Sequence, residues 1–275
     1  MDKYGAIMAS FLRPNSVIVD IFIIVNLSFL ALDIFIAHSI NQFSNLAEWI
    51  PFYFSLIAPI LLLIELWVNW INKQKKTQLI SIVIGSVSIV IGVAGLIWHL
   101  HSSFFEYYTL KSLVYTAPFI APLAYAGLGS LLIMNRMVDQ ESMEWSEWLI
   151  LLGLGGFCGN FILALSDHSQ NGFFIVYEWI PVISSAIAVS FLVVTLTKQY
   201  SIQFTNISIL VMILQTIIGV WGFYFHCMTA LNSNIPGYFD KIVYNAPIFA
   251  PLLFINLAIL SLFGLIDLRH KIIHY

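Results

Sequence analysis

The stretch VIVDIFIIVNLSFLALDIFIAHSI, residues 17–40, indicates what kind of solvent this chain folds in. It is mostly apolar over 24 residues, and an α-helix needs about 20 such residues to cross a bilayer. It is also too long for the core of a signal peptide, and no small-residue cleavage site follows it. We therefore expect it to be a retained first membrane span.

The rest of the chain has the same character. Of its 275 residues, 60% are hydrophobic and only 9% are charged, and the mean hydropathy is +0.92. A soluble domain carries about 25% charged residues. The composition predicts an integral membrane protein in contact with a lipid bilayer. A net charge of -3 offers no electrostatic basis for a nucleic-acid partner.

Eight apolar runs are long enough to span, and they predict an all-α integral membrane protein of about eight transmembrane helices. The predicted spans are 17–40, 48–72, 78–101, 112–135, 146–168, 174–197, 206–229 and 243–266. Backbone groups in lipid must bond within the segment or within a closed barrel. The runs lack the alternating pattern of a membrane barrel, so helices are the remaining solution.

Lysine and arginine are divided unevenly between the two sides of this predicted bundle. Nine lie at the termini or in loops that follow even-numbered spans, and two lie in loops that follow odd-numbered spans. The nine are Lys3, Arg13, Lys73, Lys75, Lys76, Arg136, Lys198, Arg269 and Lys271, and the two are Lys111 and Lys241. Because cytoplasmic loops are enriched in basic residues, both termini are predicted to be cytoplasmic in an inner or cell membrane.

The two halves of the chain repeat each other. VYTAPFIAPL (114–123) matches VYNAPIFAPL (243–252) at seven of ten positions, and EWIP occurs at 48–51 and at 178–181. These matches predict two tandem four-helix repeats of the same orientation, residues 1–140 and 141–275. Internal repeats of this kind occur in transporters, and four-helix bundles also hold cofactors.

Four histidines fall into register when the halves are aligned. His38 lies ten residues before the first EWIP segment, and His168 lies ten residues before the second. His99 and His226 each close a G-V-x-G-x-x-x-H run, GVAGLIWH (92–99) and GVWGFYFH (219–226). Helices 1, 3, 5 and 7 are thus each predicted to end in a histidine on the outward side. Imidazole suits iron, copper and zinc, so these four are the candidate cofactor or metal ligands.

Glycines lie on the same helix faces as two of these histidines. Gly95 and Gly222 precede their histidines by four residues, and Gly92 and Gly219 continue the stripe. A stripe without side chains allows a porphyrin ligated by the histidine to approach the backbone, or it allows close packing of a second helix. The cofactor prediction is haem b or a non-haem iron or copper centre. The sequence alone does not separate these alternatives.

Carboxylates and tyrosines occur at the predicted histidine level. Glu48 and Glu178 begin helices 2 and 6, where they can ligate a metal, orient a histidine through its second nitrogen, or simply favour the helix start. The secondary candidates are His101, Asp33, Asp167, Tyr115 and Tyr244. Proline pairs in the two APxxAPL segments predict kinks in helices 4 and 8. The two cysteines, Cys158 and Cys227, are predicted to be unpaired.

The leading functional hypothesis is a redox or electron-transfer protein of the membrane with a histidine-ligated haem or metal centre near the outer face. Such a protein can be an oxidoreductase, with a quinol or another redox partner at that face. Two alternatives stay open. One is a secondary transporter or metal permease with a histidine-lined outer site, and the other is a structural subunit of a larger membrane complex.

Overall fold

The computed structural model describes residues 15–71, 78–197 and 201–274, and the regular secondary structure in these ranges is helical. The helices are α1 (Ser16–Ser39), α2 (Leu46–Ile71), α3 (Leu79–His101), α4 (Phe104–Tyr107), α5 (Leu110–Val114), α6 (Leu123–Met137), α7 (Met143–Gln170), α8 (Trp179–Leu196), α9 (Ile202–Leu231), α10 (Tyr238–Val243) and α11 (Leu252–His274). A single 3-10 turn precedes α8.

Seven helices of the described ranges are long and apolar enough to cross a membrane: α1, α2, α3, α7, α8 with its preceding turn, α9 and α11. Large apolar side chains cover their outer faces, as on α2, where Ile57, Ile60 and Ile64 are about half exposed. Such faces are stable against lipid tails, which are as apolar as the side chains themselves. The chain is therefore a helical membrane protein.

The fourth predicted span is wrong as a continuous helix. The sequence predicts 112–135, but residues 115–122 form turns and α6 has 15 residues. The last span is displaced in the same way, since α11 covers Leu252–His274 rather than 243–266. The expected proline kinks are replaced by helix starts, directly after Pro122 and Pro251. Each proline lacks an N–H and disfavours a helical conformation in the residue before it.

The long helices pack as two groups of four. In the first bundle, α1 and α3 each contact α2 and α6, so α1 and α3 lie opposite each other. In the second bundle, α7 and α9 each contact α8 and α11 and also lie opposite each other. Contacts between α6 and α7 join the two bundles. That the bundles are tandem repeats stays a prediction.

Each bundle buries charged side chains at one end, which we call the charged end. In the first bundle, Arg136 makes two bonds to Asp20, Nη1 to Oδ1 at 2.9 Å and Nη2 to Oδ2 at 3.0 Å. The same Nη2 donates to Ser81 Oγ at 3.1 Å, and Ser81 donates to the buried Glu65. Bidentate pairing of this kind offsets the cost of removing the charges from water.

The prediction of orientation used nine basic residues on one side. Six of them lie outside the described residues: Lys3, Arg13, Lys73, Lys75, Lys76 and Lys198.

The second bundle uses a lysine instead. Lys271 is only 2% exposed and pairs with Asp267, which is fully buried. Its ammonium group also donates to the carbonyl oxygens of Gln140, at 2.8 Å, and Ser142, at 2.6 Å. These contacts tie α11 to the start of α7.

Substituting Lys271→Met should destabilise the protein, because Asp267 then stays buried without its cation. Removal of one partner of a buried ion pair costs about 3–5 kcal/mol. The double variant Lys271→Met/Asp267→Leu should recover most of the loss. Reversible unfolding in mixed detergent micelles measures the difference. Arg269→Met is the control, since Arg269 bonds to Asn206 on the exposed side of the same helix. Equal stability of Lys271→Met and the control would contradict this account.

Candidate functional site

The four predicted histidines lie at one end of the bundles, which we call the histidine end. His38 and His99 lie in the last turns of α1 and α3, and these helices are opposite each other. Their ring centroids are 6.1 Å apart, with an angle of 76° between the ring planes. In the second bundle, His168 on α7 and His226 on α9 lie close enough to interact electrostatically. The structure thus brings His38 and His99 into ring contact and places His168 near His226 in the second bundle.

A backbone carbonyl holds one histidine of the first pair. His99 Nδ1 lies 2.9 Å from the carbonyl oxygen of Pro118. In an α-helix this oxygen would accept a bond from the N–H of residue 122, but Pro122 has no N–H. The oxygen accepts instead from Ala121 N at 3.1 Å and from the imidazole.

The second bundle has the same arrangement. His226 Nδ1 lies 2.7 Å from the carbonyl oxygen of Pro247, and Pro251 is the residue that lacks the helical N–H. Ala250 N lies 3.3 Å from the same oxygen. Sequence analysis missed this role of Pro118 and Pro247, although the spacing of four residues between paired prolines could have indicated it.

These bonds determine which ring nitrogen is available to a ligand. A carbonyl oxygen only accepts hydrogen bonds, so Nδ1 of His99 and of His226 carries the hydrogen. In the neutral imidazole, Nε2 then keeps a lone pair. Histidines that bind metals almost always donate their other N–H to a carboxylate or a backbone carbonyl. His99 and His226 are held in the manner of such ligands.

A carboxylate faces the other histidine of each pair. Glu48 Oε2 lies 3.6 Å from His38 Nδ1, and Glu178 Oε2 lies 3.9 Å from His168 Nδ1. Both Oε2 atoms are buried and have no hydrogen-bond partner among the described residues. Glu48 Oε1 accepts instead from Asn41 Nδ2 at 2.8 Å and from Asn45 Nδ2 at 3.0 Å. At these distances each carboxylate interacts with its histidine electrostatically and not through a hydrogen bond.

The loop after each of these histidines folds back in a matched way. The N–H of Phe43 donates to the His38 carbonyl, and that of Phe173 donates to the His168 carbonyl, both at 3.1 Å. Both phenylalanines have a left-handed backbone with φ of 51°, which is uncommon for a bulky residue.

Each of these phenylalanines stacks on the tryptophan of an EWIP segment. The ring centroids of Phe43 and Trp49 are 4.3 Å apart, and those of Phe173 and Trp179 are 4.0 Å apart. Stacking of this kind adds about 0.5–1.5 kcal/mol to the burial of the rings. Sequence analysis missed both phenylalanines, although each precedes its tryptophan by six residues.

The glycine stripe contacts a helix start rather than an open groove. A Cβ on Gly92 would lie 2.6 Å from Ala126 N, and one on Gly95 would lie 2.7 Å from Pro122 Cβ. In the second bundle, Cβ atoms on Gly219 and Gly222 would lie 3.0 Å from Pro251 O and 2.9 Å from Pro251 Cβ. Of the two alternatives that the sequence left open for this stripe, the contacts correspond to close packing of a second helix.

The secondary candidates do not join the histidine pairs. Tyr115 and Tyr244 cap the short helices α5 and α10 and are 58% and 54% exposed. Asp33 lies close enough to Tyr125 on α6 for the two side chains to interact electrostatically. Asp167 is half-buried beside His168 on α7. His101 is exposed and lines a separate cavity.

The two cysteines, Cys158 and Cys227, are free.

A compact ion site of three or more ligands is not formed in residues 15–71, 78–197 and 201–274, where no such group of His, Cys, Asp or Glu side chains converges. Each bundle offers two imidazoles with a carboxylate behind one of them. This donor set fits a group that brings most of its own ligands and takes two from the protein.

Known proteins give no further guide to this arrangement: no protein-family model matches the chain, and neither a curated protein nor a solved structure is similar enough to count as a match.

Substituting Gly92→Ala should lower stability by about 1–3 kcal/mol, the usual cost of overpacking, because the new methyl group meets the backbone of α6. Gly127→Ala is the matched control, since nothing lies within 4 Å of a Cβ there. Unfolding in detergent micelles measures both. If Gly92→Ala were as stable as the control, the close contact between α3 and α6 would be refuted.

Proposed function

We propose that this protein is a membrane electron-transfer protein that holds one bis-histidine haem b in each four-helix bundle. His38 and His99 would supply the ligands in the first bundle, and His168 and His226 in the second. The observation that carries the proposal is the carbonyl bond to Nδ1 of His99 and of His226, which leaves Nε2 available in both bundles. Cofactors are held in bundle cores by side chains from facing helices.

The separation of the rings in the first bundle supports a shared metal atom. Two imidazoles that would hold the same group must have their rings close together, and the distance between the ring centroids measures this. The observed value is 6.1 Å. A non-haem iron or copper site usually needs three or more protein ligands, so haem, which needs two, suits this donor set better.

The matched contacts support the proposal that the chain is a tandem duplication of four-helix units. The proline carbonyl, the carboxylate and the stacked Phe–Trp pair recur around both histidine pairs at equivalent positions. The eighth spanning element would be α6 together with the turns before it. The predicted boundary between the two repeats, at residues 140 and 141, falls in the loop between α6 and α7.

The residues of each pair would act by holding the iron in one geometry in both oxidation states. The haem supplies the one-electron chemistry when bound. Pro118 and Pro247 keep the imidazoles of His99 and His226 in one tautomer and orientation. Glu48 and Glu178 would favour a hydrogen on Nδ1 of His38 and His168 through their negative charge, at 3.6 Å and 3.9 Å. The Phe43 and Phe173 rings cover the site from the loop side.

The distribution of basic residues supports an orientation with the histidine end outside the cell. Among described residues, Arg136, Arg269 and Lys271 lie at the charged end, and Lys111 and Lys241 lie in the short helices of the histidine end. Cytoplasmic segments carry the excess of basic residues. The proposed centres would therefore exchange electrons with partners at the outer face of the inner or cell membrane.

Purified protein should show a b-type haem spectrum, with two haems per chain by pyridine haemochrome assay. His99→Ala and His226→Ala should each remove one haem, and the double variant should remove both, because each pair then lacks a ligand. His270→Ala, near the end of α11, is the control and should keep the full content. Well-folded wild-type protein without haem would refute the proposal, as would equal loss in the control.

The orientation can be tested with single cysteines in a chain whose Cys158 and Cys227 are replaced by alanine. Leu110→Cys, at the histidine end and 84% exposed, should react with a membrane-impermeant maleimide added to intact cells. Glu141→Cys, between α6 and α7, should react only after permeabilisation, since the proposed orientation places that loop on the cytoplasmic side. The reverse labelling pattern would contradict the proposed orientation. It would not affect the haem proposal, which the haem assay tests.

A further inference from the structure

Two histidines outside the repeated pairs lie together at the charged end of the second bundle. His270 and His274 are four residues apart on α11, and their ring centroids are 4.4 Å apart at an angle of 49°. Residues at this spacing share one face of a helix. Two histidines so placed hold zinc in metalloproteases of the H-E-x-x-H type. The proposed haem sites, at the opposite end of the bundles, do not use this pair.

The part of α11 that carries the pair is held on two sides. Lys271, between the two histidines, donates to the carbonyl oxygens of Gln140 and Ser142, at the start of α7. Arg269 donates from Nε to Asn206 Oδ1 on α9 at 2.7 Å. These bonds attach the last turns of α11 to its neighbours. A pair of ligands that is already fixed loses little conformational freedom when it binds an ion, and this favours affinity.

The charges around the pair favour a cation. The pair occupies the last turns of α11 in the part of the chain that the structure describes, and the C-terminus of a helix carries a partial negative charge. Asp139 and Glu141 belong to the loop that Lys271 binds, so they add two carboxylates near this helix end. These two outnumber the positive charge of Arg269, since Lys271 is already paired with Asp267.

Imidazole nitrogens select the kind of cation. They suit zinc, copper, nickel and iron, whereas magnesium and calcium prefer oxygen ligands. Two imidazoles fill two positions around such an ion, and water can fill the others. Under the proposed duplication α6 is the counterpart of α11, and it carries no histidine. The pair is therefore a feature of the second bundle and not of the repeated histidine end.

We propose that His270 and His274 bind one divalent transition-metal ion, such as Zn²⁺ or Cu²⁺, at the charged end of the second bundle. The ion takes one nitrogen from each imidazole and so links successive turns of α11. The site is separate from the proposed haem centres, and neither depends on the other. Under the proposed orientation it faces the cytoplasm.

Calorimetric titration of the full chain in lipid nanodiscs with Zn²⁺ measures the binding. His270→Ala and His274→Ala should each weaken the affinity of this site by about tenfold or more, since loss of an outer partner of a metal ligand alone costs about 10–100-fold. The two losses should not add, because a single imidazole does not hold the ion. His101→Ala, which removes an exposed histidine at the other end, is the matched control and should bind like the wild type.

Cu²⁺ gives a second measurement, because its electron paramagnetic resonance spectrum reports coordinated imidazole nitrogens. The two-nitrogen signal of this site should be absent from both variants. A wild type that does not bind Zn²⁺ would overturn the inference, as would undiminished binding by both variants. Equal affinity for Mg²⁺ would also overturn it, since the carboxylates would then be the ligands. Haem content, recorded in parallel, should be the same in both variants as in the wild type, so the two proposals fail separately.

Discussion

The histidine end of both bundles depends on a carbonyl oxygen that a proline leaves without its helical partner. A helix that ran through residues 118–122 would direct that oxygen along the helix axis, toward the N–H of residue 122. Because Pro122 and Pro251 cannot donate, the backbone before them forms turns and presents the oxygens of Pro118 and Pro247 to His99 and His226. The same break brings α6 and α11 against the glycines of the neighbouring helices. One backbone constraint thus produces both the orientation of the imidazole and the close packing beneath it.

The opposite ends of the bundles are held by a different kind of interaction. Arg136 pairs with Asp20 and so connects α6 to α1. Lys271 pairs with Asp267 on its own helix, α11, and connects that helix to the start of α7 through the carbonyl oxygens of Gln140 and Ser142. Trp145 lies between the two ion pairs, with its ring 5.6 Å from the Lys271 ammonium and its indole N–H 3.4 Å from Asn135 Oδ1. In an apolar solvent these charges cannot separate without a large cost. The ion pairs of the charged end therefore hold the helices in place relative to one another. The side chains of the histidine end are then free to serve in binding.

Much of the architecture could be predicted from hydropathy, because span length and composition are local properties. The structure confirms a helical membrane protein with seven helices of spanning length in the described ranges. Span 112–135 could not be predicted correctly, since hydropathy does not register the loss of N–H groups at Pro118 and Pro122. The sequence places four histidines at one level but does not show that His38 meets His99. Their meeting is decided by which helices lie opposite each other, and that depends on packing between distant segments.

The pairs of glycines show how the same pattern supports two interpretations until the neighbour is known. Gly92 and Gly95 leave space on the face below His99, and the sequence cannot tell whether a cofactor or a helix fills it. Pro122 fills it in the structure. A small residue marks a close approach but does not identify the approaching group.

The two bundles differ at several polar positions within their helices, while the residues around the histidine pairs recur. Under the proposed duplication, Asp33, Glu65 and Tyr125 of the first bundle correspond to Leu163, Thr195 and Phe254 of the second. Polar groups inside a membrane bundle are costly and are lost readily unless they have a role. The histidines, their carboxylates and the prolines that hold them are nevertheless present in both halves. A function that needs both histidine pairs accounts for their presence in each half, including the carboxylates, which packing alone does not require.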